Sequence, residues 1–123
     1  MHGRKKEDAV TPLSTLVPPI LNALVDGRVF PDVAPEGTPE PWIVYGLAGG
    51  TPIVDLDGLD ELAHSRLQID VYSSDSAEAE VLMRSVVQAL ASTLQAMPIG
   101  GPVSLPEGDT RLIHVSQDFS LFH

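Results

Sequence analysis

The sequence contains no cysteine among its 123 residues. This excludes a disulfide framework, a cysteine nucleophile and a thiolate metal site. Glycine pairs are few as well: Gly49-Gly50 and Gly100-Gly101 are the only two, and neither stands in a phosphate-binding or dinucleotide-binding motif. Both pairs are therefore expected in turns.

Basic residues are scarce. Seven lysines and arginines stand against seventeen aspartates and glutamates, which gives a formal net charge of −10 at pH 7. A surface this negative disfavours binding to the outside of DNA and to anionic membranes, because both require a positive contact surface. The one basic cluster, residues 4–6, is followed at once by Glu7 and Asp8. We interpret it as a solvated terminus.

Long hydrophobic runs are missing too. No apolar stretch approaches the roughly 20 residues that a membrane-spanning helix needs. The basic start followed by apolar residues imitates a signal peptide, but Glu7, Asp8 and the Pro18-Pro19 pair argue against one, and no small-residue cleavage site follows. The protein is expected to be soluble and intracellular when it is made.

What is present is typical of one globular domain. Apolar residues make up 43% of the chain and charged residues 20%, an ordinary composition for a soluble domain. A chain of this length buries about two-thirds of the surface that it exposes when unfolded, which is enough to fold without metal or disulfides. We expect a single domain over residues 1–123, with residues 1–9 flexible.

The N-terminal part carries a helical pattern that proline interrupts. Apolar residues recur at helical spacing between Leu13 and Leu24. Pro18 and Pro19 lack the amide donor and clash with the preceding turn, which predicts a kink or two short helices, the second beginning near Pro19. The Asp26-Gly27 pair is predicted to end this segment.

A proline-rich connector and a β-hairpin follow. The prolines of residues 28–41 prevent a long helix or ladder, and they predict a conformationally restricted arm over the surface. Residues 42–48 and 64–73 are predicted strands, the second with apolar and polar residues alternating. They should pair as a long antiparallel hairpin through an acidic loop, with a bend or bulge at Gly49-Gly50.

The second half of the chain predicts a helix and two more strands. Asp75 and the glutamate three residues later resemble a capping box, which opens a helix with an apolar stripe that continues to Met97. Pro98 and the glycines after it are expected to end this helix. Residues 103–105 and 110–122 are predicted strands, with a bulge near Gln117 that allows a change of apolar face.

The order helix, hairpin, helix, hairpin predicts an α+β fold. We expect an antiparallel sheet of about four strands with two helices packed on one face, a long β-hairpin and the proline-rich arm. No internal repeat is present. A projecting hairpin and a stiff arm suit assembly with other protein subunits.

The densest acidic cluster lies in the hairpin loop and comprises Asp55, Asp57, Asp60 and Glu61. Closely spaced carboxylates are what calcium requires, and with His64 they form the candidate for an enzyme or a metal-binding module. The spacing fails the EF-hand pattern, because Gly58 is fourth instead of sixth and no glutamate stands at the twelfth position. A solvated hairpin tip is the preferred interpretation.

No other pattern predicts catalysis. Structural or surface roles are preferred for His64, His114 and His123, because single histidines do not establish the geometry of a site. Trp42 and Tyr72 could stack nucleic-acid bases, but no lysine or arginine stands beside them, so packing within the sheet is preferred. We expect no cofactor, no metal and no catalytic residue.

A series of short motifs resembles the tail completion family of long-tailed bacteriophages. Members show an arginine-led extended segment, a proline-aromatic strand, a strand close to Q-I-D-aromatic, an alanine-bearing helix and a terminal Asp-Phe pair. In order, the matching stretches are residues 28–35 (RVFPDVAP), 41–45 (PWIVY), 67–72 (LQIDVY), Ala77 with Ala79, and Asp118-Phe119. Their order and spacing carry the resemblance over residues 10–123. The Pro18-Pro19 pair and the lengthened acidic loop depart from the family pattern.

The resemblance implies a structural virion protein that is not an enzyme. Such a protein is made in the bacterial host's cytoplasm and forms a ring of identical subunits, expected to be a hexamer, at the head-proximal end of the tail tube. The ring stops tube polymerisation and joins the tail to the head. Its implied partners are its own copies, tail tube protein and head-tail connector proteins. The alternative is a head-tail connector or adaptor on the portal side.

Contact residues are predicted on the arm and in the acidic loop, because a ring must pair sheet edges or clasp arms between subunits. The predicted residues are Arg28, Phe30, Pro31, Asp55, Asp57, Asp60 and Glu61. An acidic ring repels the phosphate backbone, so DNA is expected to pass through the lumen without specific binding.

Overall fold

The computed structural model describes residues 12–52, 63–106 and 111–122. The elements in chain order are helix α1 (Leu13–Leu21), a 3₁₀ helix (Asn22–Leu24), strands β1 (Val29–Pro31), β2 (Trp42–Pro52) and β3 (Ala63–Ser73), helix α2 (Ser76–Leu94), and strands β4 (Met97–Pro106) and β5 (Ile113–Phe122). The described strands form one sheet in the order β1-β2-β3-β5-β4. Neighbours are antiparallel except β1, which is parallel to β2.

The α+β class is therefore confirmed, with one strand more than the expected four. The additional strand, β1, is a three-residue segment at the start of the proline-rich connector. It pairs with β2 from Val29 opposite Ile43 to Pro31 opposite Tyr45. The prolines after it keep the ladder this short, because each lacks a backbone donor.

The long hairpin is also confirmed. Strands β2 and β3 pair from Trp42 opposite Tyr72 to Pro52 opposite Ala63, with a shift of register between Leu47 and Gly50. This shift is the bulge that the glycine pair predicted, and β2 continues past it. A bulge at that point bends the strand and increases its local twist.

Strand β5 lies between β3 and β4, and its pairing with β3 is unbroken from Ser73 opposite Ile113 to His64 opposite Phe122. The predicted bulge near Gln117 is wrong. Gln117 is 3% exposed and lies on the same side of β5 as the buried residues Val115 and Phe119, so no change of face occurs. The bulge is instead in β4, where the register shifts between residues 99 and 103.

Helix α1 continues through Pro18 and Pro19 without a break. The prediction of a second helix from Pro19 is corrected: a short 3₁₀ helix follows from Asn22. The helix persists because its buried stripe of Leu13, Val17 and Leu21 packs into the core. The segment ends at Asp26 and Gly27, as predicted, with φ of 50° and 82°, a conformation in which glycine costs little.

Helix α2 begins as predicted and ends earlier than predicted. The Asp75 side chain accepts hydrogen bonds from the amides of Ala77 and Glu78. At the other end Gln95 adopts the left-handed conformation with φ of 56°. The chain leaves the helix there, so Met97 belongs to β4 and not to the helix.

Both helices pack on one face of the sheet, as predicted, and we call this the helix face. The buried residues of α2 are Ala79, Leu82, Met83, Val86 and Leu90. They share one core with α1 and with inward side chains of the strands, among them Ile43, Leu67, Ile69, Val71, Val115, Phe119 and Leu121. No described helix is long and apolar enough to cross a membrane.

Candidate assembly interface

The sheet's second face, which we call the open face, has neither α1 nor α2 packed on it. Residues directly opposite each other in neighbouring strands share a face. The register therefore places on this face a row that runs from Trp42 through Tyr72 and His114 to Leu105. A second row runs from Phe30 through Val44, Asp70 and Ser116 to Val103. The open face is thus apolar at its two edges and polar between them.

Three rings stack across the open face. The ring centroids of Trp42 and Tyr72 are 5.2 Å apart with planes 13° from parallel. The centroids of Tyr72 and His114 are 4.8 Å apart at 21°. Such pairs stabilise the sheet beyond their buried area. Trp42 and Tyr72 therefore pack within the sheet, in agreement with the preferred interpretation.

Polar side chains in the middle of the open face bind one another. His114 Nε2 lies 3.1 Å from Asp70 Oδ1, and Gln68 Nε2 donates to Asp70 Oδ2 at 2.9 Å. Arg66 Nη2 donates to Asp118 Oδ2 at 3.1 Å. Across the described ranges, no three histidine, aspartate or glutamate side chains lie close enough to hold a metal ion.

Strand β4 exposes a row of large apolar side chains. Met97 is 66% exposed, Ile99 37%, Val103 52% and Leu105 43%. They pair with β5 residues 120, 118, 116 and 114, which places all four on the open face. We call these four residues the β4 stripe.

The β4 stripe was not predicted from the sequence, although the sequence contains a signal for it. No charged residue occurs between residues 95 and 106. In a chain with 20% charged residues, this edge strand lacks the charged side chains that are one of the usual protections of a sheet edge. Placing Met97 in the preceding helix hid this pattern.

A groove separates β4 from α2 on the helix face. Its volume is about 560 Å³, and Met83 and Val87 line its α2 side while Pro98 and Ser104 line its β4 side. The β4 residues on this side are too small to fill the space against the helix. Buried Gln117 forms part of the lining, and its Nε2 donates to the carbonyls of residues 99 and 100 at 3.1 and 3.2 Å.

Two exposed apolar side chains lie at the other edge of the sheet, and one of them, Leu47, is on the helix face because it pairs with the core residue Leu67. Val33 is 74% exposed and Leu47 is 67% exposed. Beyond Tyr45, β3 is the only described strand that pairs with β2. We call β1, Val33 and β2 from Tyr45 to Pro52 the β1–β2 edge. Burial, and secondarily the negative charge of Asp32, raises the pKa of the Tyr45 hydroxyl at this edge.

The structure places three of the predicted contact residues at the base of the proline-rich arm. Arg28 Nε donates to the Pro41 carbonyl at 2.8 Å and so joins the arm's two ends. Phe30 is half-buried and pairs with Val44, and Pro31 is exposed at the end of β1. Their role in subunit contacts stays a prediction. The remaining four, Asp55, Asp57, Asp60 and Glu61, lie outside the described residues.

Comparison with known proteins gives a family and a fold. The family described as "Tail completion protein gp17" matches residues 16–123. A solved chain from the "Virion of native gene transfer agent (GTA) particle" has a similar fold, with a TM-score of 0.57 and 19% sequence identity over 83% of this chain and 82% of that chain. No curated protein sequence matches.

Proposed function

The chain belongs to the tail completion protein gp17 family, and we propose that it closes the head-proximal end of a phage tail tube as a ring. It is a structural protein of a phage tail. In the proposed role, identical subunits, six to a ring, stop tube polymerisation and form the joint to the head. The family match over residues 16–123 is the observation that carries this proposal.

The surface of the chain suits a role in contacts between proteins. Four large apolar side chains of one strand are exposed side by side in the β4 stripe. Contiguous exposed apolar surface of this kind marks protein interaction sites. The proposed partners are other copies of the chain, tail tube protein and head-tail connector proteins.

The net charge of −10 fits the proposed place on the DNA path. A ring that presents negative charge to its lumen repels the phosphate backbone, and repulsion lets DNA pass without being held. We therefore expect no measurable affinity of the ring for duplex DNA at physiological salt.

The test is to polymerise purified tail tube protein with and without this chain. Electron microscopy gives the tube lengths, and light scattering gives the mass of the chain alone. We expect shorter tubes with the chain at one end, and an assembly mass several times 13.1 kDa. Equal tube lengths in both samples would argue against a terminator. Co-assembly with portal protein but not with the tube would instead indicate a connector on the portal side.

A further inference from the structure

The exposed apolar side chains are concentrated at the two ends of the sheet. Among the described residues, seven large hydrophobic side chains are exposed: Val33, Leu47, Val81, Met97, Ile99, Val103 and Leu105. Four form the β4 stripe and two lie at the β1–β2 edge, so only Val81 on α2 lies elsewhere. Because β3 and β5 stand between the two edges, these are two separate surfaces and not one patch.

Two different apolar surfaces on one chain fit a head-to-tail contact. In such a contact each subunit uses one surface to bind the next subunit and the other to bind the previous one. When the rotation between subunits closes, the result is a ring. A symmetric dimer would need only one of the two surfaces and would leave the other exposed.

The charge distribution makes the β4 stripe compatible with a second copy of this chain as the occupant. Every copy carries a net charge of −10, so contacts between copies are repulsive wherever their acidic surfaces meet. Residues 95–106 carry no charge. The β4 stripe is therefore a surface on which another acidic copy can rest without placing like charges against each other.

The backbone of β4 limits the contact to side chains. Pro98, Pro102 and Pro106 remove three amide donors from this edge strand, and its bulge interrupts the regular spacing of its backbone. Prolines and bulges are the features that protect an edge from pairing with another strand. A continuous ladder between subunits is disfavoured, whereas the exposed side chains of the stripe remain available.

We infer that the β4 stripe of one copy packs against the β1–β2 edge of the next copy, with Val33 and Leu47 as its apolar partners. This inference rests on the ring proposed above and names the contact that closes it. Both surfaces are then buried in every subunit of the ring, and the polar middle of the open face stays outside the contact.

One test introduces a charge into the stripe. Val103→Asp places a carboxylate in the proposed contact, and Val81→Asp places the same carboxylate on α2, where the parent valine is similarly exposed (52% and 60%). Sedimentation at equal salt gives the dissociation constant of each variant. We expect Val103→Asp to raise it about tenfold or more and Val81→Asp to leave it within about twofold. Equal effects of the two substitutions would overturn the inference.

Circular dichroism and thermal unfolding of both variants establish that each is folded. If the Val103→Asp variant fails to fold, the inference is tested by cross-linking instead. Cross-linking uses conservative substitutions at exposed positions. The natural sequence contains no cysteine, so every cross-link comes from an introduced residue.

The cross-linking test mixes two single-cysteine variants, Leu105→Cys and Leu47→Cys, and treats the mixture with a short bismaleimide. A head-to-tail contact gives a cross-linked pair that contains one copy of each variant, and neither variant alone gives a pair. The matched control mixes Val81→Cys with Leu47→Cys and is expected to give no product. A chain that carries both Leu105→Cys and Leu47→Cys should give a ladder that ends at the number of subunits in the ring.

The possible failures are distinguishable. If an oligomer forms but these cysteine pairs do not cross-link, or if one variant cross-links to itself, the contact lies elsewhere and only this inference is overturned. If the chain does not associate in any sample, including one with tail tube protein, the ring and the contact fail together.

Discussion

Asp75 illustrates how one side chain fixes the start of an element. Its Oδ1 accepts from the amides of Ala77 and Glu78 at 2.9 and 3.2 Å. The return contact of an ordinary capping box is relayed here: Ser73 Oγ donates to Glu78 Oε1 at 2.6 Å and accepts from the Asp75 amide at 3.0 Å. Ser73 is completely buried, so the cap also connects the end of β3 to the first turn of α2.

Removal of this cap is predicted to destabilise the fold measurably. Asp75→Ala leaves two amide donors of the first turn without their side-chain acceptor, and we expect the free energy of unfolding to fall by about 1 kcal/mol. Urea denaturation followed by circular dichroism measures the change. Asp75→Ser, which keeps an acceptor oxygen, should recover most of the loss. Equal stability of the alanine and serine variants would contradict this role of the side chain.

The raised pKa of Tyr45 predicts that the stability of the fold depends on pH in the alkaline range. Burial, and secondarily Asp32, raises its pKa in the folded protein above the usual 10.0. The folded state therefore keeps the hydroxyl proton at a pH where the unfolded chain has lost it. The stability that this contributes is complete below about pH 10 and is lost as pH rises through the folded pKa.

The prediction is tested with Tyr45→Phe. We expect the free energy of unfolding of the parent to fall more steeply than that of the variant from about pH 10 upward. Urea titrations at several alkaline pH values measure both slopes. The same slope in both proteins would mean that Tyr45 does not titrate differently in the folded and unfolded states.

At the scale of elements, the conformation of β4 depends on the buried side-chain amide of Gln117 in the neighbouring strand β5. The β4 bulge breaks the ladder with β5 between residues 99 and 103, and Gln117 Nε2 donates to carbonyls of the bulge. A polar residue on the buried side of β5 is thus explained by the irregular strand beside it. This arrangement is the reason that the alternation of β5 was misinterpreted from the sequence.

Gln117→Leu is predicted to loosen β4 more than the rest of the sheet. Leucine has a similar size but no donor, so the bulge carbonyls lose their side-chain partner, and we expect a cost of about 1 kcal/mol. Hydrogen exchange should become faster in β4 while α2 keeps its protection. Gln88→Leu, at an exposed position of α2, is the matched control. Unchanged exchange in β4 would show that the amide does not hold the bulge.

Elements with strong local signals were predictable from the sequence. The alternation in β3 and the cap and stripe of α2 follow from the residue order alone, because each signal spans neighbouring residues. The end of α2 was not predictable, since Gln95 adopts a left-handed conformation that glycine or asparagine usually marks. The Pro18-Pro19 pair led to the wrong prediction of a second helix from Pro19. The two prolines are a strong local signal for a break, but in α1 core packing outweighs it.

At the scale of the whole molecule, the candidate interface was largely hidden from the sequence. The set of residues that forms this interface depends on the register of strand pairing, which brings together residues that are far apart in the chain. His114 and Asp70 are 44 positions apart, so a search for nearby ligands could not pair them. The β4 stripe likewise becomes a surface only when pairing with β5 places alternate residues on the open face.

Net charge is a property of the whole molecule that follows directly from counting charged residues in the sequence, and it predicts how assembly responds to salt. Each copy carries −10, and at an ionic strength of about 0.01 M the repulsion between copies extends over about 30 Å, against about 8 Å at 0.15 M. The apolar β4 stripe contains no charge for salt to screen. Association measured by light scattering should therefore strengthen as salt rises. Association that weakens steadily with added salt would show that attractive ion pairs hold the subunits together, and would contradict an apolar contact between acidic copies.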